Sequence, residues 1–466
     1  TSDIGGKVVN AKGEVISGAA VQLVYVPLSV KYNMVTDAKG NFHVNNINAG
    51  GPYTISIKYV GYKTFNKSDI SFTLGSNPDL NILLEETASQ LTTVTVSASK
   101  STKKDGAALV INEDKLRTVP NLSRSITDFT KLVPQSSNNS FAGTNFRYNN
   151  VTIDGTINND AIGFSPSLGG QSGTSGMPGS STRTSPISID AIKDIQVYLA
   201  PFDVKVGNFL GGSINAVTRS GTNEVKGSIY YFGRNAGLTG ISNAGSFKDG
   251  QYGFRLGLPI VKDKLFWFTS VEATNRTEPV QYGANAGGLV SDSLANAIAS
   301  FTKTKYGVNV GAYDNYDIYS KSTKVFNRFD WNINDKNKLT ARYVHHNSSA
   351  EINISNSQSA GAGNRTTQFT AMSFKNSGYI IQDNTRSAVL ELNSKISNTF
   401  HNNLIVGYDK QIEDRAYLSK MFPTIDIMNG TATYTSVGFD PFTPSNKLDY
   451  NTFHITNNLT KFLDKH

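Results

Sequence analysis

ISIDAIKDIQVYLAPFDVKVGNFLGGSINAVTRSG, residues 187–221, is the stretch on which the reading of the whole chain turns. A helical turn over Asp190 to Lys193 leads into a strand. On that strand Ile195, Val197 and Leu199 alternate with Gln196, Tyr198 and Ala200, the period-2 mark of one buried face. A glycine-rich corner follows from Gly207 to Gly212, then a short strand from Ser213 to Thr218 and a turn at Ser220-Gly221. From Glu224 onward the pattern changes and stays changed. Before it lie small modules; after it lie long amphipathic hairpins.

The same stretch resembles the end of the plug domain of TonB-dependent outer-membrane transporters, written "IeeIeV…G…GGvInivTksGtn". Here Ile192-Lys193-Asp194-Ile195-Gln196-Val197 is followed by Gly211-Gly212-Ser213-Ile214-Asn215-Ala216-Val217-Thr218-Arg219-Ser220-Gly221-Thr222-Asn223. Ala200-Pro201-Phe202-Asp203-Val204 departs from the common Gly-Pro-rich turn. That variant resembles the Oar-like branch, which carries a carboxypeptidase regulatory-like domain at its N-terminus.

Composition agrees with a β-rich membrane protein. The chain has 466 residues, of which 38% are hydrophobic, and its mean hydropathy is −0.30. No run of about 18 apolar residues is present, so no transmembrane helix is available. A membrane protein of this composition crosses with strands, where only every second residue meets lipid. The 21 Tyr and 25 Phe suit strands and interfacial girdles. With no cysteine, disulfides and thiolate sites are excluded. The net charge is +8, but the basic residues are dispersed, with Lys100 to Lys104 the densest run. That pattern does not point to nucleic acid. The chain begins Thr1-Ser2-Asp3 with neither a charged n-region nor an apolar h-region.

Four units follow in order. Residues 1–86 contain short strands around Val8, Val21, Phe42 and Ile55, separated by turns such as Asp37-Ala38-Lys39-Gly40-Asn41. They predict a small β-sandwich and resemble a carboxypeptidase regulatory-like domain, through Gly6-x-Val8, Gly18-Ala19-x-Val21 and Tyr59-Val60-Gly61-Tyr62. Asp37 and Asn41 are expected to form a turn and not a calcium site, because the fuller acidic ligand set is missing.

Residues 87–104 form a Ser/Thr/Lys-rich linker. Within it Leu91 to Ala98 is a strand-former with no hairpin partner nearby, either tucked onto a neighbouring unit or open to an added strand. The family resemblance makes Thr93, Val94, Thr95, Val96 and Ser97 the candidate TonB box, which pairs with the energy-transducing TonB protein by β-augmentation.

Residues 105–223 form the α+β plug. Ser123 to Pro134 predicts one short helix, capped by Ser123 or Ser125, with Ile126, Phe129, Leu132 and Val133 on one face. Tyr148 to Gly155 resembles the family's "v.iDG" hairpin. The plug motif residues are thus Asp154, Gly155, Ile195, Val197, Gly211, Gly212, Asn215 and Thr218. Gly163 to Ser181 is read as a flexible apical loop, or alternatively as a substrate contact.

Residues 224–466 carry about eight amphipathic strands. Short turns fall near 262, 335 and 397, and long polar loops near 235–250, 278–320, 349–380 and 414–447. Short turns on one side and long loops on the other are the outer-membrane barrel pattern. A closed barrel of about eight strands is filled by its own side chains, whereas a plugged lumen needs about 22. The expectation is therefore a mainly β chain: a small β-sandwich, an α+β plug, and the N-terminal part of a transmembrane antiparallel β-barrel that belongs to a longer sequence.

No catalytic constellation is present: neither HExxH, nor a Walker lysine motif, nor G-x-S-x-G. His345 and His346 are adjacent on a strand and point to opposite faces, a poor chelate. No cofactor, metal or catalytic residue is expected. The resemblance implies energised transport of an unidentified substrate, with the N-terminal domain in the periplasm. TonB and outer-membrane lipid are the implied partners. The alternative is a structural or secretion-linked component held in a larger complex with other outer-membrane proteins or lipoproteins. Asp292-Ser293-Leu294, in a long loop, resembles an O-glycosylation triplet.

Overall fold

The computed structural model describes residues 2–461 apart from 78, 87–107, 122–123, 138–139, 160–179, 200–205, 241–245, 281–290, 362, 364, 366–371 and 398. The candidate TonB box 93–97 lies outside the described residues.

Eight strands build the N-terminal sandwich: β1 Ser2–Asn10, β2 Ala20–Tyr25, β3 Val30–Val35, β4 Asn41–Ile47, β5 Gly50–Lys58, β6 Phe65–Phe72, β7 Gly75–Ser76 and β8 Leu80–Leu84. One sheet centres on β1, paired with β4, β7 and β8; the other runs β3-β2-β5-β6. Their facing side chains, including Val8, Leu23, Phe42, Tyr53, Ile55 and Ile82, form one core. Asp37 closes the turn before β4. Its Oδ1 accepts from the backbone N–H of Lys39 and Asn41, each at 2.8 Å. Gly40 there takes φ +75°, a conformation that glycine adopts without a Cβ penalty.

The plug follows. β9 Ala108–Ile111 and the helices α1 Glu113–Thr118 and α2 Ile126–Thr130 come first, then the small β10 Ser136–Ser137 and β11 Ser140–Phe141. β12 Asn150–Ile153, β13 Thr156–Ile157, β14 Ile192–Tyr198 and β15 Ser213–Thr218 complete a five-stranded sheet of order β13-β12-β15-β14-β9. α2 is shorter than the helix expected over 123–134. Ser125 caps it, accepting from the Thr127 N–H. Ile126, Phe129 and Val133 enter the plug core, but Leu132 stays exposed.

β14 also departs from expectation. Ile195 and Val197 are buried, and so are Gln196 and Tyr198 on the opposite face. The N-terminal sandwich covers that second face. Gln196 Oε1 accepts from the Leu74 N–H at 3.0 Å, and Tyr198 donates to the Leu74 carbonyl at 3.2 Å.

Eight long strands make the third sheet: β16 Lys226–Asn235, β17 Lys248–Val261, β18 Leu265–Val280, β19 Tyr316–Asn332, β20 Asn337–Ile352, β21 Tyr379–Lys395, β22 Phe400–Tyr417 and, after a β23 Ile425–Asn429 and β24 Ala432–Val437 hairpin, β25 Leu448–Lys461. The order is β16-β17-β18-β19-β20-β21-β22-β25, antiparallel throughout. Among the described residues the sheet is open: within it β16 pairs only with β17, and β25 only with β22.

Its two faces are inverted relative to a soluble sandwich. Ile229, Tyr231, Leu390, Phe453 and Ile455 on the outer face are exposed. Glu272, Lys324, Arg328, Asp330, Arg342 and His346 on the inner face are buried. Apolar residues facing out and polar residues facing in are what lipid outside and a polar lumen inside demand.

The strands run further toward the long connections than the periodicity shows, and those connections are not plain polar loops. The helix α3 Asp292–Tyr306 sits in one, capped by Ser291 and ended by Gly307 at φ +67°. It packs with the β23–β24 hairpin through Ala295, Val310, Met372, Phe374, Tyr434 and Val437. The Asp292-Ser293-Leu294 triplet is the first turn of this helix.

Candidate functional site at the plug–barrel interface

The residues that hold the plug to the barrel wall converge on Asp154. Asp154 and Gly155 form the tight turn between β12 and β13, with φ +50° and +81°. Positive φ at both central residues is the primed hairpin turn that Asp-Gly favours. The turn aims the Asp154 carboxylate along the sheet toward Thr218, whose N–H donates to Oδ1 at 2.8 Å and whose hydroxyl donates to Oδ2 at 2.6 Å. Asn215 supports it: its Oδ1 accepts from the Gly155 N–H and from the Thr152 hydroxyl, each at 2.9 Å. Four plug-motif residues distant in sequence, Asp154, Gly155, Asn215 and Thr218, thus form one hydrogen-bonded unit. Ile195 and Val197 lie in the core beneath it, opposite Ala216 and Ile214. At Gly212 an added Cβ would lie 2.7 Å from the buried Phe141 ring. At Gly211 it would lie 2.3 Å from Thr144 Oγ1.

Two barrel guanidinium groups meet this unit. Arg342 on β20 donates to Asp154 Oδ2 at 2.9 Å, to the Ile153 carbonyl at 2.8 Å and to Thr156 Oγ1 at 2.8 Å. Arg328 on β19 donates to the same Asp154 oxygen at 3.2 Å and grips Asp330 with two bonds of 2.8 Å. Burial works to raise the Asp154 pKa. The two arginines and Thr218 outweigh it and hold the carboxyl below its ordinary value.

Further contacts continue along the wall. Ser188 of the plug donates to Glu272 on β18 at 2.6 Å, and Lys324 on β19 holds the other oxygen of Glu272 at 2.8 Å. Thr182 donates to Ser348 at 2.6 Å, and Arg183 pairs with Glu278. His346 is buried, with its Nε2 2.9 Å from Thr184 Oγ1, while His345 lies on the other face. No group of three or more metal-ligating side chains occurs among the described residues. Among the described residues, Phe268, Phe326 and Val344 of the barrel join the buried plug core.

The N-terminal sandwich docks beneath. Lys193 donates to the Gly51 carbonyl. Asn223 donates to Ser29 at 2.8 Å and Asn332 to the Leu28 carbonyl at 3.2 Å. Lys338 Nζ lies 3.8 Å from the Tyr32 ring centroid, a cation–π distance. Burial at this junction depresses Lys193 to about 8, against the pull of Asp194.

Sequence reasoning places Asp154 in a motif but gives no sign of Arg328, Arg342, Glu272 or Lys324. Their only signal is position: Arg328 and Asp330, two apart on an amphipathic strand, share the polar face.

Comparison with known proteins agrees with this geometry. Residues 3–85 match the carboxypeptidase regulatory-like domain family, and residues 217–288 match an outer membrane beta barrel domain family. A curated relative, the TonB-dependent transporter Oar of Myxococcus xanthus, is 26% identical over 330 residues, covering 65% of this chain and 29% of the relative. Among solved structures, the outer membrane transporter YddB from Escherichia coli superposes with a TM-score of 0.52 at 13% identity, over 76% of this chain and 45% of that one. The chain therefore spans less than half the length of either protein. A regulatory-like sandwich, a plug seated on a polar inner wall and an apolar outer face together make this an outer-membrane chain, and its architecture resembles that of the TonB-dependent transporters, Oar among them.

Proposed function

We propose that the chain forms the gated half of an energised outer-membrane transporter. In this reading residues 1–86 are the periplasmic sandwich, 87–104 the linker with the TonB box, 105–223 the plug and 224–466 the first part of the barrel. Substrate docks on the long-loop side. TonB adds a strand to Thr93–Ser97 and pulls, and the plug shifts to open a path.

The observation that carries this reading is the polar character of the plug–wall contact. Asp154 with Arg328 and Arg342, Ser188 with Glu272, and Arg183 with Glu278 are charge-assisted bonds. Each can be exchanged for water as the plug moves, whereas a continuous apolar seam has no such replacement partner.

The test is binding of the soluble TonB C-terminal domain to the detergent-solubilised protein with and without Thr93–Ala98. Binding that is lost on deletion supports energised transport. Equal binding by both proteins removes Thr93–Ser97 from the role. Binding by neither favours the structural or secretion-linked alternative, and stable outer-membrane partners would then be sought by co-purification.

A further inference from the structure

Between the plug and the first two barrel strands lies a cavity of about 560 Å³. Five guanidinium groups line it, Arg117, Arg124, Arg219, Arg234 and Arg255, against two carboxylates, Asp190 and Asp249. The lining thus carries an excess of three positive charges. Four of the arginines have a carboxylate partner: Arg124 pairs with Asp190, Arg234 with Asp249, and Arg219 and Arg117 share Glu113 at 3.1 and 4.0 Å. Arg255 is not. Its Nε donates to Ser228 Oγ at 2.8 Å and its Nη1 reaches the Asp190 carbonyl at 3.4 Å. Among the described residues no carboxylate lies within ion-pair distance of it. Arg124 is also incompletely satisfied, since its buried Nε has no hydrogen-bond partner among the described residues. An arginine that faces a cavity with donors to spare is a carboxylate or phosphate receptor in waiting, because its fork matches two oxygens at once.

The remaining lining selects between these anions. The Arg124 guanidinium lies 3.6 Å from the Phe232 ring centroid, and Tyr230, Val119 and Pro120 extend the apolar surface. Pockets that combine a few fixed charges with aromatic and aliphatic walls take organic ligands in preference to bare ions.

We propose that this cavity binds an organic anion, a carboxylate with an apolar or aromatic body, at the plug–wall junction. Arg255 supplies the fork, and Phe232, whose ring Arg124 overlies, is part of the apolar wall. Its role as a station on the transport route rests on the transporter reading above; binding itself does not.

The experiment is isothermal titration of the detergent-solubilised full-length protein at low salt, with phthalate and with inorganic phosphate as probes. Saturable phthalate binding is expected, with phosphate weaker. Arg255→Gln is expected to weaken phthalate by about tenfold or more, the scale of losing charged hydrogen bonds. Gln251→Glu, which adds a carboxylate to the cavity lining opposite Phe232, gives a second and independent loss. Lys262→Gln removes one positive charge from an exposed turn and is expected to leave binding unchanged. No saturable phthalate binding, phosphate binding as tight as phthalate, or a loss in K262Q equal to that in R255Q overturns the proposal. None of these outcomes depends on TonB binding, so failure here and failure of the transporter reading are separate results.

Discussion

Arg342 on the barrel wall and Asp154 at the tip of a plug hairpin lie 2.9 Å apart, and Arg328 approaches the same carboxylate oxygen at 3.2 Å. Both arginines are nearly fully buried, so neither can turn to water without the plug moving. The first expected outcome follows. Asp154→Asn keeps the shape and removes the charge. Two buried cations then share only Asp330 and the more distant Glu391. Breaking a buried pair by removing one partner costs about 3–5 kcal/mol. Thermal unfolding in detergent is expected to shift downward, and ion leak through the protein in planar bilayers to rise.

Gly212 tests the packing beneath that turn. An alanine Cβ there meets the Phe141 ring at 2.7 Å, and Phe141 is fully buried. Gly212→Ala is expected to destabilise by about 1–3 kcal/mol, the scale of overpacking a filled core. Denaturant midpoints of the two proteins measure it.

Lys193 makes the docking of the N-terminal sandwich depend on pH. Burial lowers its pKa to about 8, so the docked state disfavours the charged amine. Undocked, the same group holds its proton to the ordinary lysine range. Between these values the undocked state binds more protons, and docking strengthens as pH rises through about 8. Asp194, whose own pKa burial raises, and Glu113 face the same junction and do not titrate in that window. Amide exchange at Gln196 and Tyr198 is expected to slow from pH 7 to pH 9, after correction for intrinsic rates. Lys193→Met is expected to abolish the dependence.

The outer face of the barrel sheet is tested by Leu390→Arg. Leu390 on β21 is 53% exposed on a face that also shows Phe453 and Ile455. Lipid-facing arginine costs about 2–4 kcal/mol at the bilayer midplane and less toward the interfaces. Folding yield into liposomes is expected to fall. On a water-facing sheet the same change would be neutral.

Much of the architecture is local and therefore legible. The strands of the barrel are visible because polar and apolar residues alternate. Lys262-Asp263-Lys264 and Asn334 to Asn337 mark the short turns, and Asp154-Gly155 marks its hairpin. Each of these follows from backbone preferences over a few residues. α3 was also encoded, by Ala295, Ile298, Ala299 and Thr302 at helical spacing between Ser291 and Gly307, but a polar segment between long strands is easily read as plain loop.

What lies across the chain was not. Period 2 on β14 marked one apolar face, and the N-terminal sandwich, more than a hundred residues away, buried the other through Gln196 and Tyr198. Whether a polar side chain faces water or a neighbouring domain leaves no trace in its own strand. The same holds for Arg328 and Arg342. The sequence by itself determined that they stand on the polar face of amphipathic strands. Only the tertiary structure decided that this face receives the plug and that Asp154, about 170 residues or more earlier in each case, is the charge they share. Local patterning sets which way a side chain points, and long-range packing alone sets what it meets.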